Sequence, residues 1–118
     1  MGANKATFPT ASLQLATTPG DVLYTCPAQT RAEVTMMSVL NTTSTTRTVT
    51  VHIVRSGGSI ADNNQVVSAA AVAAEGTRPQ GEILWPVIGQ VLNPGDFIQA
   101  FASAATALTP MGAVTEYT

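Results

Sequence analysis

A chain of 118 residues has the length of one small domain, and only 10% of its residues are charged, against about 25% in ordinary globular domains. The net charge is −2, and the five Lys and Arg residues are scattered, which excludes the basic surface that nucleic acid requires. No apolar run approaches the ~20 residues of a membrane-spanning helix, so we expect neither nucleic acid nor a membrane as a partner.

The apolar content predicts a thin core. Hydrophobic residues make up 45% of the chain but aromatic residues only 5%, and much of the remainder is alanine, which buries little area. Thr, Ser, Asn and Gln must fill the solvent-facing positions, and such a surface repels neighbouring molecules weakly. A chain of this kind gains stability from a partner surface, and we therefore predict a homo-oligomer.

The cysteine content and the start of the chain favour a reducing compartment. The single cysteine, Cys26, predicts neither an intrachain disulfide nor a cysteine-based metal site. The first ten residues carry no apolar segment of the signal-peptide type. We therefore expect synthesis and assembly in a cytoplasm.

Residues 1–10 have no periodic pattern and are predicted to form an extended arm in front of a single domain, residues 11–118. Two residues of the arm suit contact with a partner. Phe8 is a poor choice for a freely solvated tail, and Pro9 keeps the segment extended and lowers the entropy lost on docking. Deletion of residues 2–10 is then expected to leave the domain folded.

Most of the domain alternates apolar and polar residues with a period of two, which is typical of β-strands. A short polar loop at residues 42–45 and another short loop at residues 104–106 predict that the strands on either side of each loop form hairpins. Together the strands describe an all-β fold, an antiparallel β-sandwich that includes the jelly roll as one form. The predicted strands cover residues 11–16, 21–26, 32–41, 46–55, 82–89, 97–103 and 107–117.

The alternation also predicts which side chains share a face. On the third predicted strand, Val34, Met36 and Leu40 fall on one side. On the fourth, His52 and its threonine neighbours fall opposite a row of valine and isoleucine, which predicts one exposed and one buried face.

Residues 65–77 combine a strand-like start with alanines that favour a helix, and Gly76 could end such a helix. Because Gln65, Val66 and Val67 begin the stretch in the manner of a strand, we predict a further strand here.

The tripeptide Pro-Gly-Asp occurs twice, each time ahead of an apolar run. One explanation is a carboxylate pair that folding brings together. The other is a type II turn, in which proline sets φ at the second position, glycine supplies positive φ at the third, and aspartate accepts backbone N–H bonds. Turn chemistry explains both copies, so we predict structural roles and little cost for Asp96→Asn. The six residues are Pro19, Gly20, Asp21, Pro94, Gly95 and Asp96.

The chemistry-bearing residues do not form a recognisable active site. A metal site of the cupin type needs two or three histidines, and the one histidine here, His52, is expected on the surface or at an interface. For Cys26, a small buried side chain is the simplest interpretation. Trp85 is expected to pack in the core, with an interface as the second choice. We predict a non-enzymatic protein with no cofactor and no metal.

Residues 30–64 and 91–117 contain three recurring elements: an Asn-Thr-Thr tip between two Val/Thr strands, a Leu-Asn-Pro-Gly-Asp turn, and a closing alanine-rich hairpin. With these elements the chain resembles, over residues 20–117, a class of small virion proteins of tailed bacteriophages. The resemblance implies a non-enzymatic, trimeric β-sandwich of the kind that occurs in capsid decoration or cement proteins and in pieces of tail fibres and adaptors.

The expected function is that of a structural virion protein on the capsid exterior, which cements the shell by bridging subunits of the major capsid protein. Its partners would be the major capsid protein, through Phe8 and Pro9, and further copies of itself in a homotrimer. The absence of a coiled coil or a long repeat disfavours a complete tail fibre, but a tail-fibre or tail-adaptor module is an alternative. A carbohydrate-binding β-sandwich module is another, and its groove should show several exposed aromatic side chains.

Overall fold

The computed structural model describes residues 2–76 and 81–118. Nine strands form within those residues, in two antiparallel sheets, and no α-helix does, which confirms the predicted all-β sandwich. Met1 of the predicted arm, Thr77 at the end of the alanine-rich stretch, and Arg78 lie outside the described residues. The strands are β1 (Ala3–Phe8), β2 (Asp21–Thr25), β3 (Arg31–Asn41), β4 (Arg47–Val54), β5 (Gln65–Val72), β6 (Gly81–Ile83), β7 (Val91–Leu92), β8 (Phe97–Ala102) and β9 (Leu108–Tyr117).

The five-stranded sheet has the order β1-β9-β3-β6, and the short strand β7 also pairs with β3. The four-stranded sheet has the order β2-β8-β4-β5. The inward faces of the two sheets enclose one core. Its fully buried side chains include Leu15, Met37, Leu92, Ile98 and Leu108.

Both loops predicted to close hairpins instead carry the chain from one sheet to the other, between β3 and β4 and between β8 and β9. Asn41 explains the first crossing. Its buried amide nitrogen donates to the carbonyl oxygens of Thr45 (2.9 Å) and Val72 (3.0 Å), and its Oδ1 accepts from the N–H of Thr43 (2.9 Å). These bonds bend the chain out of the five-stranded sheet. The apolar faces of β3 and β4, and likewise those of β8 and β9, then meet across the core.

A β-bulge in β3 changes which residues of that strand point outward. Its register with β9 shifts between Val34 and Met36, so Thr35 is an extra residue. Val34 and Met37 are buried, whereas Met36 and Leu40 are exposed. The predicted common face of Val34, Met36 and Leu40 is therefore wrong. The prediction assumed unbroken alternation, whereas the bulge at Thr35 turns Met36 to the face opposite Val34.

β4 is buried on both faces over its last six residues, which corrects the prediction of one exposed face. A short 3₁₀ turn at Asp62–Asn64 contacts β4 from outside the sandwich. His52 is buried next to this turn, with Nδ1 2.6 Å from Oδ1 of Asn64 and its ring stacked on Phe101 at 6.0 Å. The expected surface position of His52 is wrong because a polar loop covers this part of the strand.

Residues 11–16 form no strand and instead run between the two sheets. The N–H of Leu15 donates to the carbonyl of Leu108 in β9 (2.8 Å), and the N–H of Ala102 in β8 donates to the carbonyl of Ala16 (3.0 Å). The segment therefore divides its hydrogen bonds between the sheets and belongs to neither. β5 confirms the strand predicted for the alanine-rich stretch, whereas β6 ends after three residues and the chain then turns.

The predicted N-terminal arm is instead a strand of the sandwich. Ala3 to Phe8 pair with β9 in one unbroken register, and the backbones of Gly2 and Thr118 exchange two further hydrogen bonds. Phe8 is 2% exposed, and its ring packs so closely on Gly112 that a Cβ atom there would lie 2.1 Å from it. The sequence shows no alternation here because Phe8 is the one buried residue of the strand.

Phe8→Ala is expected to lower the free energy of unfolding by about 3–5 kcal/mol, because it leaves a ring-sized cavity beneath β1. Thr7→Ala, at an exposed position of the same strand, is the matched control and should change it by less than about 0.5 kcal/mol. Urea unfolding measures both values. Equally small effects of the two substitutions would show that β1 contributes little to the fold. Because β1 carries the buried ring of Phe8, deletion of residues 2–10 should now destabilise the domain.

Gly20→Ala is expected to cost far more than Gly57→Ala, although both glycines have positive φ (+87° and +82°). A Cβ atom at Gly20 would lie 2.1 Å from the backbone oxygen of Ala100, whereas one at Gly57 has no atom within 4 Å. Gly57→Ala therefore measures the left-handed strain alone, about 1 kcal/mol. Gly20→Ala should cost about 3 kcal/mol or more in the same unfolding experiment, and equal costs would contradict the close approach.

Candidate interaction surface

The second Pro-Gly-Asp turn has the geometry of a type II turn. At Gly95, which follows Pro94, φ is +86°, and the N–H of Asp96 donates to the carbonyl of Asn93 at 3.0 Å. A Cβ atom at Gly95 would lie 2.5 Å from the hydroxyl oxygen of Ser56, so the end of β4 packs directly against this turn. The turn places Asp96 immediately before β8.

The first turn lies at the other end of the β2–β8 ladder. At Gly20, which follows Pro19, φ is +87°, but the Thr18–Pro19 peptide bond is cis and the turn is formed by Thr18 and Pro19, so the type II turn predicted for this copy is wrong. The carboxylate of Asp21 accepts from the N–H of Ala16 at 2.9 Å. Because β2 and β8 are antiparallel, Asp21 at the start of one and Asp96 before the other are about 13 Å apart. The two aspartates therefore form no carboxylate pair.

Asp96 is 3% exposed and is fully engaged in hydrogen bonds. Its Oδ2 accepts from Nη1 of Arg55 (2.7 Å) and from the N–H of Asn93 (2.8 Å), and its Oδ1 accepts from the N–H of Ser56 (2.9 Å). Burial acts to raise the pKa of Asp96, but these three donors together hold it below its usual value. We therefore revise the expected cost of Asp96→Asn upward, because an amide NH₂ would face a donor.

Cys26 is buried, as predicted, and is tied to the same turn. Its thiol donates to the carbonyl of Thr30 (Sγ to O, 3.2 Å), and its backbone exchanges hydrogen bonds with Gly95 (2.9 Å) and Asp96 (2.8 Å). Burial raises the pKa of the Cys26 thiol, and the neighbouring carboxylates of Glu116 and Asp96 add to this effect. The thiol form that results is a poor nucleophile.

Tyr24 joins the two sheets near this cysteine. Its hydroxyl donates to Oε2 of Glu116 in β9 at 2.5 Å, and its ring lies 6.0 Å from that of Phe8. Burial raises the pKa of Tyr24, and the hydrogen bond to Glu116 raises it further. Tyr24 therefore stays protonated and acts as a structural donor.

Phe8 and Pro9, the candidate capsid contacts, are not a free anchor. The ring of Phe8 lies in the core of its own sandwich, and Pro9 beside it is half-buried. Both residues are therefore corrected to parts of the fold, since the single apolar ring of β1 is needed to hold that strand on β9.

The outward side of the five-stranded sheet carries a continuous apolar area. We call it the apolar face and define it by four exposed side chains, Met36, Leu40, Ile83 and Met111. The register brings them together, because Ser38 of β3 lies opposite both Met111 of β9 and Ile83 of β6. Met36 and Leu40 follow two residues to either side of Ser38, on the same face of the strand.

Met111 and Met36 form a ridge between two grooves of the apolar face. The groove on the β1 side holds about 380 Å³ and the groove on the β6 side about 420 Å³, and Ser38 and Thr109 line both. Met111 is 65% exposed at the crest of this ridge. Methionine is unbranched and polarizable, so such a ridge can adapt to the shape of a partner.

Trp85 lies at the β6 edge of the same sheet and is 69% exposed, which corrects the expected core position. The N–H of Leu84 donates to the carbonyl of Met37 (3.0 Å), and the N–H of Gly89 donates to the carbonyl of Val34 (2.7 Å). The turn that carries Trp85 is therefore fastened to β3 on both sides of the indole. A rigid support of this kind lowers the entropy lost when the indole binds a partner.

Comparison with protein-family models, with curated proteins and with solved structures found no match to this chain. In the described ranges 2–76 and 81–118, no group of three or more His, Cys, Asp or Glu side chains is placed to hold a metal ion. No helix in the same ranges is long and apolar enough to cross a membrane. The apolar face and Trp85 are the candidate functional surface, because they place large apolar side chains in solvent.

Sequence reasoning missed the apolar face, and one signal could have revealed it. The adjacent pair Met36-Met37 interrupts the alternation of its strand. Neighbouring side chains of a strand point to opposite faces, so two large apolar residues in succession cannot both be buried unless the strand is covered on both sides. A bulge that sends one methionine outward is a direct solution of that conflict.

Asp96→Asn should lower the free energy of unfolding by about 2 kcal/mol at neutral pH. Asp21→Asn, which affects the hydrogen bond from one backbone donor at a less buried position, is the matched control and should cost less than about 1 kcal/mol. The pKa of Asp96 is lower in the folded chain than the ~3.9 of the unfolded chain, so its contribution to stability is present above the unfolded value and is lost as the pH falls further, through the folded pKa.

Unfolding free energies of the wild type and Asp96→Asn should accordingly differ by a constant amount from pH 7 to about pH 5 and converge as the pH falls below about 4. A difference that also stays constant below about pH 4 would contradict an ionised Asp96 held by its three donors.

Proposed function

We propose that this chain is a structural virion protein, made in the host cytoplasm, that decorates and cements a phage capsid from outside by bridging major capsid subunits. The observation that carries the proposal is Trp85, a large exposed indole on a turn fastened to β3. Tryptophan is strongly enriched among the residues that dominate binding energy at protein interfaces. Trp85 therefore replaces Phe8 and Pro9 as the proposed contact with the shell.

The surface around Trp85 supports a contact with protein. Ile83 and Val91, which bound the turn on its two sides, are also exposed. Desolvated aromatic and aliphatic side chains with few charges are typical of the centre of a protein interface. Only 10% of the residues of the chain are charged, so many copies can lie close together on a lattice with little repulsion.

A non-enzymatic role is part of the proposal, because the fold occupies the groups from which chemistry could be built. Asp96 accepts from three donors, His52 contacts the amide of Asn64, and the thiol of Cys26 is buried. Self-association also belongs to the proposal, since an exposed apolar patch of this kind often serves as an interface.

Two alternatives compete with this proposal. A tail-fibre or tail-adaptor module would use the same surface at a different place in the virion. A carbohydrate-binding module has less support: the exposed aromatic side chains of the described residues are Trp85 and Tyr117. Tyr117 pairs with Arg31, roughly 20 Å along β3 from Met37 beside the Trp85 turn, so the two rings do not line one sugar groove.

Trp85→Ala should raise the dissociation constant for undecorated capsids at least about tenfold. Because the side chain is exposed, the variant should unfold at the same denaturant concentration as the wild type. Val22→Ala, an exposed apolar position on the four-stranded sheet, is the matched control and should bind like the wild type. Co-sedimentation with the particles measures occupancy, and equal occupancy of both variants would remove Trp85 from the mechanism.

Trp85 is the one tryptophan of the chain, so its fluorescence reports the contact directly. Docking on the shell should shift the emission to shorter wavelength, because the indole leaves water. A shift with tail preparations alone would move the protein to the tail. A shift with a panel of oligosaccharides alone would favour the carbohydrate-binding module.

A further inference from the structure

The apolar face carries a ridge and grooves side by side, and this arrangement is complementary to itself. We infer that the apolar face binds the apolar face of a second copy of this chain. The two copies form a two-fold pair in which Met111 of each enters a groove of the other. The inference deepens the self-association that belongs to the proposed function, and it rests on that part of the proposal.

The geometry supplies the first argument. Met111 projects beside grooves of about 380 and 420 Å³, and small side chains such as Ser38 and Thr109 line both grooves. In a two-fold interface the same patch of both copies is in contact, so a patch that carries both a ridge and a groove suffices. The unbranched Met111 side chain suits this role because it can adjust to the groove.

The exposed area supplies the second argument. Met36, Leu40, Ile83 and Met111 together expose roughly 400 Å², within the ~300–600 Å² of the largest apolar patches on monomers. This is about half of the ~800 Å² that each partner buries in a standard interface. The hydroxyl side chains around the grooves can add the remainder as the polar rim that such interfaces have.

The charges supply the third argument, and they decide which groove receives Met111. Among the described residues, no charged side chain lines the groove on the β1 side, whereas Glu82 lines the groove on the β6 side. Identical faces bring identical groups together, and like charges would oppose the pairing. The uncharged groove on the β1 side is therefore the one that Met111 of the second copy enters.

The same geometry favours a pair over the trimer that the phage resemblance implies. In a ring of three, each copy contacts the next through two different patches. The apolar face would then need a second, complementary patch elsewhere, whereas its own ridge and grooves already match each other.

Light scattering on the purified wild type at micromolar concentration should give twice the 12.1 kDa mass of one chain. Met111→Glu should give the mass of one chain, because it places a charge in the partner's apolar groove. Val22→Glu makes the same change at an exposed position of the four-stranded sheet and should keep the mass of two chains. Circular dichroism checks that all three proteins are folded.

Met111→Cys provides a readout that does not depend on weakening the contact. A ridge that enters the partner's groove places the two copies of residue 111 on facing sheets about 10 Å apart, too far for a direct disulfide but within reach of a short bis-maleimide, which should link two chains. Val22→Cys should stay unlinked, and the native Cys26 is buried and does not compete. A wild-type mass of one chain, or a mass of three chains with Met111→Cys unlinked, would overturn the inference.

Failure of this inference can be separated from failure of the proposed function. A two-chain mass without capsid binding leaves the pair intact and removes the cementing role. A one-chain mass with capsid binding through Trp85 removes the pair and leaves the cementing role intact.

Discussion

A single buried carboxylate holds one end of the four-stranded sheet in place. Asp96 binds Arg55 and Ser56 at the end of β4, and its own backbone carbonyl accepts from Cys26 at the end of β2. An ionised carboxylate in the interior is tolerated only when its oxygens are hydrogen-bonded, so these segments must meet at one point. The constraint also reaches the other sheet, because the Cys26 thiol lies 3.6 Å from the carbonyl of Leu92 in β7.

Local backbone chemistry could be predicted from the sequence, and long-range contacts could not. The positive φ of Gly95 follows from its place after proline in a turn, and the alternation of β8 gives its buried face directly. The crossing between the sheets depends on a bond from Asn41 to Val72, 31 residues away. The exposure of Trp85 likewise depends on hydrogen bonds to β3, and no local sequence pattern predicts these bonds.

The two proposed contacts use neighbouring parts of one sheet and are compatible with each other. The apolar face is centred on β9 and β3, whereas Trp85 lies beyond the β6 edge. Pairing of two apolar faces would therefore leave each indole at the perimeter of the pair, where it can reach a third body. Both proposals together would explain the weakly charged surface and the large exposed indole, since assembly would then add to the stability of the chain.

The bulge at Thr35 also determines where the chain can change in length. Without the bulge, unbroken alternation would turn Met37 outward and Met36 inward. Gain or loss of a residue elsewhere in β3 would likewise exchange the buried and exposed faces of the strand. Loss of Thr35 itself would leave Val34 and Met37 buried and Met36 exposed, because the bulge already excludes that residue from the count. Evolution can therefore delete a residue at this position without altering what the sheet presents to a partner.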